Sequence, residues 1–341
     1  MKWRISRYSA LLCILVACIY FVFTPAFAHV PVFEGGGRNP DTATHVEDPA
    51  KSRVLYGQFS GGDLQYYSFE AEEGERISLG LIIPAGEESQ TFVPDLILIG
   101  PGLVDEGEVP ETVEIPEGYG AKVFSGKMPE SATYEGFTPS AFYSLVRADL
   151  DAPESGTYYA TVSSIEESGN YGVILGYREK FSLMEWLFIP LNQIRIYRWE
   201  GQSLPFIFFP LGITLAAGIL AISLKKEAAA RFNPAHWAGA FAGLFFLGTG
   251  LSYILQMMVS LSRSSYSPEV IITIFLVLAS IVLGTIALVL SMKNEGYGVK
   301  STRKRLYFFV LGLAGLLLWA GWLMGSILSF EAAVLPWKRK I

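Results

Sequence analysis

Cysteine is nearly missing from this sequence: 341 residues hold two, Cys13 and Cys18, both near the N-terminus. Everything after them folds without a disulfide and has no thiolate for nucleophilic or redox chemistry. Histidine is almost as scarce, with His29, His45 and His236 the whole supply. There is no Ser-His-Asp set, His-x-x-His pair, phosphate loop or dinucleotide fingerprint. No Asn-x-Ser/Thr sequon occurs, since Asn39 and Asn233 precede proline. Basic residues are few over 29–204, where 28 acidic face 11 basic residues for a net of −17. A surface that acidic repels nucleic acid and anionic lipid, which excludes a DNA- or RNA-binding role. Solubility, or adaptation to salty surroundings, accounts for it.

Charge is lacking altogether from four runs, 205–224, 237–261, 270–292 and 306–329. Each reaches the roughly 20 apolar residues that cross a bilayer. Four spans exclude a cytosolic enzyme, a fibrous chain and a disulfide scaffold. The lack of Asp, Glu, Lys or Arg inside any run also argues against a transporter or proton relay, which keep such groups at depth.

At the N-terminus, Lys2, Arg4 and Arg7 precede the apolar stretch 8–23, and Ala26-Phe27-Ala28 is a small-x-small cleavage pattern. This is the layout of a secretory signal, residues 1–28, and cleavage there makes His29 the first mature residue. Leu15-Val16-Ala17-Cys18 reads alternatively as a lipobox, and an uncleaved signal anchor is the third option. All three put residues 29–204 outside the cytoplasmic membrane. The loops then obey the positive-inside rule: Lys225, Lys226, Arg231, Lys293, Lys300, Arg303, Lys304 and Arg305 lie inside, and Arg263 outside. A tail at 330–341 breaks the rule, because four spans leave Lys338, Arg339 and Lys340 outside.

After a polar N-terminal segment, 29–52, residues 53–177 alternate with period two between Gly, Pro, Ser and Asp punctuation. Tyr67, Phe69 and Ala71 share one face, and so do Ile77, Leu79 and Leu81. Asp95–Ile99 is an apolar run suited to a central strand. Thr157–Ser164 and Tyr171–Tyr177 read as a final pair around Ser168-Gly169-Asn170. The fold class expected is an all-β, antiparallel sandwich ectodomain followed by an α-helical four-span transmembrane domain.

Gly62-Asp63, Tyr66-Tyr67-Ser68-Phe69 and Gly74-Glu75-Arg76-Ile77-Ser78-Leu79 resemble the opening hairpin of the bacterial pre-peptidase C-terminal (PPC) domain. Pro94-Asp95-Leu96-Ile97-Leu98 is similar to that family's central strand. Gly156-Thr157-Tyr158-Tyr159 with Gly169-Asn170-Tyr171 resembles its closing hairpin. The resemblance covers about a third of the chain and implies a small jelly-roll-like accessory module of surface proteins, sometimes with calcium bound. The sequence departs from the family between Pro101 and Ser140, where an acidic Pro/Gly-rich insert replaces a short connection.

Two metal sites follow as expectations. Asp63, Asp95, Asp149 and Asp151 could gather at loop ends around calcium, which takes six to eight oxygens, although solvated turn aspartates explain them as well. A mature His29 could bind copper through its amine and ring, with His45 completing a brace. Otherwise no cofactor is expected.

Residues 178–204 are too charged to span and too apolar to float free. They read as an interfacial segment with tryptophans at headgroup level, broken midway by Pro190. Gly212/Ala216, Gly239/Gly243 and Gly321/Gly325 are small pairs that let helices approach closely or let the chain form homo-oligomers. Thr249, Tyr253 and Gln256 are expected to bond between helices. The function these features suggest is a membrane-anchored recognition or scaffold protein without catalysis, whose partners are lipid and a surface protein or glycan. A copper-handling protein and an oligomeric ligand-gated channel are the alternatives.

Overall fold

In the computed structural model the described residues are 29–59, 64–86, 91–164, 168–225, 232–293 and 299–337. The leader, with both cysteines, and Asp63 lie outside them. Among the described residues eleven strands make two stacked sheets. The six-stranded sheet runs β1 (Val30–Val32), β3 (Arg53–Phe59), β11 (Gly169–Leu175), β5 (Arg76–Pro84), β9 (Ser140–Asp151), β8 (Thr133–Glu135). The five-stranded sheet runs β2 (Thr44–His45), β4 (Leu64–Ala71), β10 (Gly156–Ser163), β6 (Asp95–Pro101), β7 (Tyr119–Phe124). Pairing is antiparallel except at β1–β3 and β2–β4, which are parallel.

The alternating residues meet where the pattern places them. Tyr67, Phe69 and Ala71 of β4 and Ile77, Leu79 and Leu81 of β5 point into one core with Leu98, Tyr158 and Val173. Tyr67 and Tyr171 bury their hydroxyls against each other at 2.8 Å, so neither phenol is left without a partner. The neighbours differ from expectation, however. β4 and β5 lie in opposite sheets, as do β10 and β11, so the two expected hairpins are arches that carry the chain from one sheet to the other. The insert is not a free loop either. It supplies β7 and β8, and Val109 and Val113 cover the outer face of the five-stranded sheet over Ile97 and Ile99.

Six helices follow. α1 (Leu183–Trp199) starts at a capping box, in which the Ser182 side chain accepts from the Glu185 N–H while Glu185 accepts from the Ser182 N–H. Pro190 lies inside this helix and does not break it. Interior proline costs about 3 kcal/mol, and burying Ile189, Gln193, Ile196, Tyr197 and Trp199 on the same helix offsets it. α2 (Leu204–Leu224), α3 (Pro234–Leu261) and α4 (Val270–Met292) are long and apolar enough to cross a membrane. α3 and α4 touch backbone to backbone: a Cβ on Gly243 would sit 2.9 Å from the Gly284 carbonyl oxygen.

The fourth apolar run, 306–329, is not a single helix. It ends α5 (Val299–Leu317), breaks, and restarts as α6 (Met324–Val334). Trp319, Gly321, Trp322 and Leu323 all have positive φ, between 52° and 81°. The turn is buried, with Trp319, Ala320 and Trp322 all under 9% exposed; the Gly321 N–H donates to Thr249 Oγ1 at 2.8 Å. α6 then doubles back along α5: Ser329 Oγ donates to the Phe308 carbonyl at 2.8 Å and Arg305 to that of Val334 at 3.1 Å. Trp337 ends against His236 and Phe308, at the end of the bundle away from the sheets. The expected four spans become three long apolar helices and one helical hairpin.

Two of the three small pairs are consumed internally. Gly239 and Gly243 meet α4 and Phe308, while Gly321 and Gly325 meet each other and Phe246; a Cβ on Gly212 would meet nothing. Thr249, Tyr253 and Gln256 each bond away from their own helix, to Gly321, Gln193 and Gln202.

Candidate functional site

The sheets do not hang from a tether. The outer face of the six-stranded sheet, through Val54, Ile82, Tyr56, Phe142 and Ile174, packs on Trp199 of α1. The Trp199 indole N–H donates to the Tyr171 carbonyl at 3.0 Å, and the Asn170 amide donates to the Trp199 carbonyl at 2.7 Å. The loop between β8 and β9 inserts into the top of α3 and α4. Tyr134 donates to Thr273 at 2.6 Å, Thr273 donates to the Gly136 carbonyl at 2.6 Å, and Gln193 donates to the Phe137 carbonyl at 3.2 Å. Only glycine fits at 136, because a Cβ there would run into the Glu269 carbonyl.

A partly open cavity of about 60 Å³ lies in this seam. Tyr56, Phe137, Phe142, Phe181, Trp199 and Trp319 line it, together with Glu135, His29, Asn192 and Ser140. Elements far apart in the chain converge here: β3, the insert, α1 and the tip of the α5–α6 hairpin. Trp319 reaches it by packing between Phe137 and Trp186, at ring-centroid distances of 6.0 and 4.5 Å.

The seam perturbs its ionisable groups. Glu135 accepts from the Phe137 N–H at 2.9 Å, yet burial, with Glu269 and Glu179 nearby, pushes its pKa up to about 7. Burial likewise raises Glu200 to about 7, although the Ala141 N–H donates to it at 2.9 Å. His29 is lowered by burial and by the Arg147 charge. Tyr56 is raised by burial and by both glutamates.

The expected metal residues are dispersed. His29, just before β1, hydrogen-bonds Ser52 and lines the cavity. His45 belongs to β2 in the other sheet, with its ring 3.4 Å from Ser68 Oγ, so the fold does not join the two as a brace. Asp95 starts β6 in the five-stranded sheet and accepts from the Gly126 N–H at 2.9 Å. Asp149 and Asp151 are on β9 in the six-stranded sheet, where Asp149 takes two hydrogen bonds from Arg76 Nε at 2.8 and 3.1 Å. Among the described residues no group of three or more His, Cys, Asp or Glu could hold a metal ion.

Sequence reasoning passed over Glu135 and Glu200. The available signal was an acid set among aromatic residues, Tyr134-Glu135-Gly136-Phe137 and Tyr197-Arg198-Trp199-Glu200.

No protein-family profile and no curated protein matches this chain. Solved structures that resemble it include PliG, a periplasmic inhibitor of g-type lysozyme. The Aeromonas hydrophila protein is 16% identical over 40% of this chain and 96% of its own, with a TM-score of 0.24. The Salmonella Typhimurium protein is 20% identical over 40% and 100%, with a TM-score of 0.22.

Proposed function

We propose that this chain is a multi-pass protein of the cytoplasmic membrane whose β domain, on the outer side, works as a recognition or scaffold module without catalysis. The observation that carries the reading is the hydrogen-bonded seam, which makes the β domain a fixed extension of the helix bundle rather than a tethered head. A fixed head presents its surface and the seam cavity at a constant height above the lipid. The exposed side of α1, with Leu183, Met184, Phe188 and Leu191, supplies the apolar face of a helix resting in the outer interface.

The helical hairpin also removes the anomaly of the tail. A chain that turns back at 318–323 returns to the inner side, so Lys338, Arg339 and Lys340 join the eight inner loop charges against Arg263 alone outside. Single cysteines, introduced after replacing Cys13 and Cys18 by serine, test this with a membrane-impermeant maleimide on intact cells. Glu111→Cys labels, whereas Lys293→Cys and Val334→Cys label only after lysis. Labelling of Val334→Cys from outside restores four spans, and failure of Glu111→Cys to label overturns the orientation.

A further inference from the structure

The geometry points to the seam cavity as a binding site for a small organic ammonium group, a methylated or primary amine head of a few heavy atoms. This rests on the recognition reading and names its ligand class. Six aromatic rings line one small space, and quaternary and alkylated ammonium ions are held by such rings through the negative face of the π system. One carboxyl group, Glu135, lines the same space, and no Lys or Arg does among the described residues. Glu135 accepts backbone N–H bonds but has no ion-pair partner among those residues. An aromatic box closed by one uncompensated carboxyl is a site short of one positive charge. Among basic side chains, Arg147 acts on His29, Arg195 of α1 lies over the Phe33 ring at 4.1 Å, and Lys51 pairs with Glu185 at 2.6 Å.

Size narrows the ligand. A cavity of about 60 Å³ clears the roughly 10–15 Å³ that one water needs. It suits a head of a few heavy atoms, and a longer substituent must leave through the opening. Trp319, at φ 55°, belongs to the positive-φ turn between α5 and α6, and its ring lines the cavity.

The head could come from a lipid or from a free amine, and full-length protein in nanodiscs separates the two. In discs of phosphatidylglycerol alone, methylammonium and tetramethylammonium chloride are titrated against tryptophan emission, with sodium chloride at matched ionic strength as reference. The expected result is a saturable response to at least one amine and none to sodium. Glu135→Gln weakens it at least tenfold, Tyr56→Leu several-fold, and Tyr56→Phe leaves it unchanged. Discs containing phosphatidylethanolamine then show whether a lipid head competes; competition assigns the site to lipid, and its absence to a free amine. Circular dichroism and gel filtration verify that each variant is folded, and if Glu135→Gln is not, the Tyr56 pair carries the test. No saturable response in either disc, or equal affinity in folded Glu135→Gln or Tyr56→Leu, overturns the proposal. The maleimide result stands independently of it, so failure of the site and failure of the topology are distinguishable.

Discussion

Between the two sheets, Phe69, Leu98, Tyr158 and Val173 are surrounded by apolar side chains, while in the seam Tyr134, Gly136, Gln193 and Glu200 meet through hydrogen bonds and ionisable groups. The first contact is non-directional, and it survives wherever the pleat keeps one face inward. The second is directional, and it tolerates neither a lost donor nor an added charge. One chain thus contains a core that fails by leaving holes and a joint that fails by ionising or by steric intrusion.

Several measurements sharpen that contrast, beginning with the largest effect. Phe69→Ala removes a fully buried ring stacked 6.0 Å from Tyr158. It costs roughly 3–5 kcal/mol, read as a lower denaturant midpoint for the β domain, with the seam hydrogen bonds untouched. Next is pH. Glu135 and Glu200 have folded pKa values near 7, raised above the ordinary 4.5. Their contribution to stability is fully present below about pH 4.5 and is lost as pH rises through 7. The loss is at most on the order of 3 kcal/mol each, reduced by solvent screening. Thermal midpoints fall as pH rises from 5 through 7 and level off above about 8, and Glu135→Gln with Glu200→Gln flattens the slope. A flat wild-type profile removes the seam half of the comparison.

Gly136→Ala forces a methyl against the Glu269 carbonyl and costs roughly 1–3 kcal/mol. Proteolysis near 132–140 accelerates while the sandwich core keeps its stability; an equal loss in both regions would show that they unfold as one. Smallest is Lys51→Met, which removes the partly exposed 2.6 Å pair with Glu185 and costs at most about 1 kcal/mol. It loosens the start of α1 and leaves Phe69 and its neighbours unaffected.

What the sequence reveals follows the same division. Period-two alternation reports which way a side chain points, so the inward faces of β4 and β5 and the double-sided burial of β6 are legible. It does not report which strand lies alongside, so β4 with β5 and β10 with β11 read as hairpins although each pair is split between the two sheets. The helical hairpin is hidden because 306–329 is apolar throughout and as long as a span, with no proline at the break. The seam is hidden for another reason: Tyr134 and Thr273 are 139 residues apart, and nothing in either neighbourhood names the other. His29 does fall at the cavity, but as a lining residue with Glu135 and not with His45.

The return of α6 alongside α5 bears on how the chain is made. On the proposed topology, once α4 is threaded, inserting the hairpin translocates no charged residue, because none lies between Arg305 and Glu331. That step moves only an uncharged loop, Leu318-Trp319-Ala320-Gly321-Trp322-Leu323, partway into the lipid.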